Sequence, residues 1–328
     1  MTTRRRALLG TLLAVVLAAA GCGTVDRVVR GLPGRGPDVP AGTVELATGS
    51  TQGVYYRYGT ALAGVVDSEL PGVRVRVRST EGSVENLRRV AAGQSAFAFA
   101  AADAAADAVA GQGSFGSPLP IRAVARVYDE YIHLVVRADS PLRTARDLRG
   151  RRVSVGQAGS GTEIMANRLL AVVGLDPRRD LRAAHLGIDD SATALHDGRI
   201  DAFFWQGGLP TAGVVSLAGQ VRIRLLPLGD FAAGLRRYSP AYRSAAVPAG
   251  SYPGVPPVST VALPSYIVTR ADADPDLVYQ LTRLLFASRE RIVHTVSLAG
   301  VLDARAAIET FPLELHPGAV RYYRDRKP

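Results

Sequence analysis

Apolar and polar positions along this chain follow two periods in turn. Val73, Val75 and Val77 interleave with Arg74, Arg76 and Arg78, the period of a half-buried strand with a basic outer face. Ala61, Leu62, Val65 and Val66, and later Val84, Leu87, Val90 and Ala91, recur at helical spacing, with Gly93 ending the second run. Val44 and Leu46 mark a short strand, and the Ala/Phe run from Ser95 passes from strand into helix. Farther on, Glu163 to Val173 reads as helix, and Ile200 to Phe204 and Val221 to Leu226 read as strands. Asp274 and Pro275 fit the N-cap and first position of a long helix carrying Leu277, Leu281, Leu284 and Leu285. Such alternation from Thr43 onward predicts α/β layers with parallel sheets, and no solenoid repeat interrupts it.

Two apolar runs look like crossings between lobes. Tyr131 to Arg137 precedes a turn-rich shift in composition at residues 139–156, and Ser259 to Thr269 follows the Pro/Gly-rich stretch from Val247 to Val258. The predicted division is lobe I, residues 43–133 with 259–328, and lobe II, residues 134–258, hinged around a cleft.

Three clusters of small residues each follow a strand signal and open a helix signal. They are T-G-S-T-Q-G-V-Y-Y-R-Y-G from Thr48, S-T-E-G-S-V-E-N from Ser79 and G-Q-A-G-S-G-T-E from Gly156. Small residues let backbone N–H groups approach a ligand, and a helix start carries unpaired donors and the positive end of the dipole. Together they predict a cradle for an anionic small molecule. The candidate contacts are Gly49, Ser50, Thr51, Tyr55 and Tyr56 in the first cluster, Thr80, Ser83 and Asn86 in the second, and Ser160, Gly161 and Thr162 in the third. Trp205, Gln206 and Gly207, after a buried-looking Phe pair, complete the set. Ser160 and Glu163 also fit a capping box in which Glu163 returns to the Ser160 amide, a purely structural role.

The 328 residues are 47% hydrophobic and 21% charged, the balance of a well-buried globular protein. Of the formal net charge of +10, three units come from Arg4, Arg5 and Arg6, and the sole lysine is Lys327. The remaining arginines are scattered opposite apolar faces with no aromatic-interleaved basic strand, so the pattern is a basic surface and not a nucleic-acid footprint. Arg4 to Arg6 precede an apolar run from Ala7 to Ala20, too short for a standard bilayer crossing, and then A-A-G-C ending at Cys22, the one cysteine. That junction resembles a bacterial lipobox. It implies a signal peptide at residues 1–21, diacylation of Cys22, a Gly/Pro-rich tether at residues 22–42, and a lipid-anchored protein on the outer side of the cell membrane. The export route, general secretory or twin-arginine, stays open.

Catalytic signals are thin. His133, His185, His196, His294 and His316 have no metal-ligand spacing, there is no Walker or Schiff-base lysine, and no Gly-x-Ser-x-Gly elbow surrounds Ser160. Hydrolysis would need carboxylates such as Glu81, Glu85 and Asp201 to pair in space; solvated surface or helix-end roles are the alternative. No catalytic residue, metal or cofactor is expected.

The first cluster, T-E-G-S-V-E-N-L, D-L-R-G-R-R-V-S-V-G with G-S-G-T-E, D-A-F-F before G-G-L-P, and the terminal L-H-P-G-A-V-R-Y-Y together resemble the TAXI family of TRAP-transporter solute-binding proteins, in order, from about Val44 to Tyr323. The resemblance implies a two-lobed, type II-like periplasmic-binding-protein fold. It also implies capture of a small organic acid or amino acid, such as glutamate or 2-oxoglutarate, and delivery to a TRAP-type membrane permease. Ser50 and Gln52 stand where the family often has glycines, and Arg57 replaces a frequent proline, departures that bear on the ligand. The alternatives are an extracytoplasmic enzyme such as a hydrolase on the same scaffold, and a ligand sensor without transport.

Overall fold

The Thr43-onward alternation of signals becomes an unbroken series of elements in a computed structural model, which describes residues 39–326. The assignments made to residues 1–21, to Cys22 and to most of the tether lie outside the described residues. In chain order the elements are β1 (Gly42–Ala47), α1 (Val54–Glu69), β2 (Val73–Arg78), α2 (Ser83–Ala91), β3 (Phe97–Ala101), α3 (Ala102–Ala110) and β4 (Ile121–Arg137). There follow β5 (Arg152–Ser154), α4 (Gly161–Val172), β6 (Arg182–Ala184), α5 (Ile188–His196), β7 (Ala202–Gly207), α6 (Ala212–Gln220), β8 (Ile223–Leu225) and α7 (Ala232–Leu235). The chain closes with β9 (Arg243–Val247), β10 (Val258–Arg270), α8 (Pro275–Ala287), α9 (Arg289–Val293) and α10 (Pro317–Asp325).

The ten strands of the described residues form one sheet in the order β2-β1-β3-β10-β4-β7-β5-β6, with β8 on β4 and β9 on β10. The two ends are parallel, β2-β1-β3 and β7-β5-β6, as expected. The middle is not: β10 runs antiparallel to β3 and β4, and β4 antiparallel to β7. The sheet is therefore mixed, a correction to the parallel expectation. Alternating signals carry no direction where a strand is entered without a crossover helix, and irregular segments lead into both β4 and β10.

The two long strands change partners along their length. Between Ile121 and Tyr131, β4 pairs with β10; from Tyr131 to Arg137 it pairs with β7 and then β8. Likewise β10 meets β9 over Val258–Ala262 and β3 over Ser265–Thr269. The 17-residue β4 begins ten positions before the expected crossing. Its first half is buried on nearly every position, so it shows no alternation to read. The strand expected at Ile200–Phe204 is Ala202–Gly207, which carries Trp205 and Gln206 inside the sheet, and Val221–Leu226 narrows to Ile223–Leu225.

Where a sequence signal was strong, the local reason holds. Val73 is buried at the sheet edge while Arg74, Arg76 and Arg78 face solvent. Asp274 caps α8 by accepting from the Asp276 amide, with Pro275 in the first turn. Separate apolar clusters serve the two ends of the sheet, one around Leu87, Ala98, Ala105 and Val268 and another around Leu134, Val153, Leu169 and Phe204. Each fully buried Leu or Phe there contributes roughly 1.5–3 kcal/mol relative to exposure.

Candidate functional site

Ligands of open α/β sheets sit beyond the carboxyl ends of the strands, and here those ends converge from both sides of the molecule. A cavity of about 60 Å³ is lined by residues following β1, β2, β5 and β6, by the end of β7, and by Tyr128 and Glu130 on β4. Four helices start at its wall: α1 at Gly53–Val54, α2 at Gly82–Ser83, α4 at Ser160–Gly161 and α5 at Gly187–Ile188. Only α4 has a side-chain cap, the Ser160 hydroxyl accepting from the Glu163 amide. Gly53, Gly82 and Gly187 supply none, so the first amides of those three helices remain as donors beside the cavity, with three helix dipoles directed at it.

Glycines allow the close approach. Gly82 adopts φ +120°, and a Cβ there would stand 3.4 Å from that of Ser160. At Gly161 a Cβ would come within 3.0 Å of Ser83 Oγ and 3.5 Å of Gln206 Nε2. The starts of α2 and α4, separated by more than 70 residues in sequence, are thus in direct contact. The expected return of Glu163 to Ser160 is corrected by one residue: Glu163 accepts from the Gly159 amide at 2.8 Å, while the Ser160 amide donates to the Gln157 carbonyl.

Hydroxyl oxygens in the wall are already engaged. Ser83 Oγ accepts from the Ala101 amide at 3.1 Å and Thr162 Oγ1 from the Gln206 amide at 3.2 Å, which leaves each hydroxyl proton to be donated elsewhere. Ser50 donates to Asp189 at 3.1 Å. The indole Nε1 of Trp205 donates to Thr211, so Trp205 offers the cavity only its ring.

The polar floor is Glu130. Its carboxylate accepts from Gln206 Nε2 at 2.7 Å and lies beside the Tyr55 hydroxyl, which in turn accepts from Ser265 at 3.2 Å. Burial pushes the Glu130 carboxyl up to about 7, against the opposing hydrogen bonds from Tyr55 and Gln206. Gln206 Oε1 is buried and has no hydrogen-bond partner among the described residues. Among them, too, no arginine or lysine lines this cavity.

Of the sequence candidates, Gly49, Ser50, Tyr55, Ser83, Ser160, Gly161, Thr162, Trp205, Gln206 and Gly207 line the cavity. Thr51, Tyr56, Thr80 and Asn86 do not. Thr51 is exposed in the turn before α1, and Tyr56 lies one position round the helix from Tyr55. Thr80 and Asn86 tie strand ends together: Asn86 Nδ2 donates to the Thr48 and Phe99 carbonyls, and Thr80 Oγ1 to Asn86 Oδ1 at 2.6 Å. Glu130 and Tyr128 were missed because they lie in the part of β4 that has no periodic signal; Gly187 and Ile188 were missed because no small-residue cluster marks the start of α5. Asp201 pairs with Arg152, and His133 bonds the Tyr252 hydroxyl with burial lowering its pKa to about 4.

Residues 46–326 match the family described as NMT1-like. Among solved structures, a Xanthomonas citri protein bound to ATP is similar at 15% identity and TM-score 0.51, covering 87% of this chain and 99% of that one. An ancestral arginine-binding protein bound to arginine matches at 11% identity and TM-score 0.50, covering 78% and 98%. The periplasmic aliphatic sulphonate binding protein SsuA from Escherichia coli matches at 16% and 0.46, covering 87% and 79%. The fold is the mixed α/β fold of periplasmic binding proteins.

Proposed function

The chain belongs to the NMT1-like family, and from the cleft described above we propose that it is an extracytoplasmic solute-binding receptor for a small organic acid or amino acid. One observation carries this reading: four helix starts meet at one cavity, and three of them are capped by glycine with no side-chain bond. Orphan amides in that number are poorly placed for stability alone, and a bound carboxylate satisfies them. The partner change of β4 and β10 supports a division into residues 43–133 with 259–328 and residues 134–258, which close on the ligand from opposite sides. Delivery to a TRAP-type permease, and placement within the TAXI family, rest on the ordered motifs. Anchoring rests on A-A-G-C: a fatty-acid analogue should label the wild-type protein and not Cys22→Ser.

Native mass spectrometry of the purified protein tests the central reading by looking for a carried small molecule, with a thermal-shift screen of carboxylates and amino acids alongside. A ligand at ~100 times its Kd stabilises the native state by ~2.7 kcal/mol. Turnover of a screened compound, in place of simple retention, would instead favour an enzyme.

A further inference from the structure

The cavity is electrically two-sided. Uncapped helix starts bring donors to its wall, whereas Glu130 and the unpartnered Gln206 Oε1 bring acceptors. Resting on the receptor reading, we propose that the ligand is a zwitterion, an amino acid whose side chain carries no second carboxylate. Its carboxylate meets the helix starts, and its ammonium meets Glu130 and Gln206 Oε1.

Two observations narrow the class. First, Gln206 and Glu130 are 6% and 3% exposed, so a ligand that supplies no proton leaves buried acceptor capacity unmet. Gln206 Nε2 is already committed to Glu130, so Gln206 Oε1 remains an acceptor without a donor. An ammonium brings three donors and a charge opposite to the carboxylate's. Second, a dicarboxylate such as glutamate or 2-oxoglutarate brings a second anion. Among the described residues no cationic side chain lines the cavity to receive it, and the ionisable side chains that do, Glu81 and Glu130 with the tyrosines, carry no positive charge.

The neutral form that burial favours at Glu130 fits the same picture, because an ammonium alongside restores the ionised form and closes a charge-assisted hydrogen bond.

Calorimetry on the full-length protein, freed of carried ligand, tests this with matched compounds: glycine and alanine against acetate, propionate and pyruvate, with glutamate and 2-oxoglutarate as a third set. Alanine or glycine should bind at least tenfold more tightly than any des-amino partner or either dicarboxylate. Glu130→Gln keeps the side-chain shape and should weaken amino-acid binding tenfold to a hundredfold, with an unchanged or higher melting temperature without ligand. Propionate binding as tightly as alanine, a dicarboxylate binding more tightly than both, or unchanged affinity in a folded Glu130→Gln each overturns the zwitterion and leaves the receptor standing. No binding by any compound of the three sets, with no carried molecule in the mass spectrum, overturns the receptor reading as well.

Discussion

Arg168 on α4 donates to Asp107 on α3 at 2.5 Å and to Asp103 at 3.3 Å, joining a helix of the first half of the sheet to one of the second. Asp103 is fully buried and also accepts from the Tyr242 hydroxyl. Burial raises the Asp103 pKa, and the Arg168 charge opposes that rise. An ion cluster so enclosed is poor evidence of net stabilisation, but breaking it leaves carboxylates stranded. Arg168→Met should therefore cost about 3–5 kcal/mol in urea unfolding. A loss below about 1 kcal/mol would mean that water or relaxation reaches the two acids.

Gly161→Ala separates the cavity from the scaffold. The added methyl stands 3.0 Å from Ser83 Oγ and 3.5 Å from Gln206 Nε2, at a position without positive φ. Stability without ligand should change by less than ~1 kcal/mol, since Gly→Ala also restricts the unfolded chain. Ligand affinity should fall more than tenfold because the methyl occupies the meeting point of α2 and α4. Wild-type affinity in this variant would place the ligand elsewhere.

Ser83→Ala and Thr162→Val each remove an acceptor from a buried amide, that of Ala101 or Gln206. Each should lower ligand-free stability by about 1–3 kcal/mol. Tyr55→Phe, by contrast, deletes a hydroxyl that serves Glu130 and Ser265, two side chains with other partners or freedom to turn. Its stability cost should be the smallest of the three. Equal melting temperatures for all three variants and wild type would contradict the engaged-hydroxyl arrangement.

Glu130 also predicts a pH dependence with a definite sign. Its carboxyl is raised from an ordinary 4.5 to about 7, so the folded chain keeps a proton that the unfolded chain releases in that window. The stability it contributes is full below the unfolded value and is lost as pH rises through 7. Glu130→Gln escapes the loss, so its stability relative to wild type should grow between pH 4.5 and pH 8 by on the order of 3 kcal/mol. Paired urea titrations across that range measure it. A constant difference between the two proteins would mean that Glu130 is already ionised in the ligand-free protein.

Local periodicity was sufficient for what local forces decide. The Val/Arg strand, the Asp274–Pro275 helix start and the three strand-to-helix junctions were legible because each is set by residues within a few positions of one another. Seven of the ten candidate contacts on the cavity wall belong to those junctions, where a small residue at a helix start is a local choice, and the other three close β7. The antiparallel middle of the sheet was not legible, because strand direction depends on partners more than a hundred residues away, as in the pairing of Tyr131 with Ala262. Nor was the division of labour between similar polar residues. Asn86 and Gln206 look alike in sequence, yet Asn86 is consumed by two backbone carbonyls while Gln206 keeps a free acceptor beside Glu130. That helix starts supply donors follows from residues a few positions apart. That four of them face one another over a buried acid follows from long-range strand pairing, and no residue carries it alone.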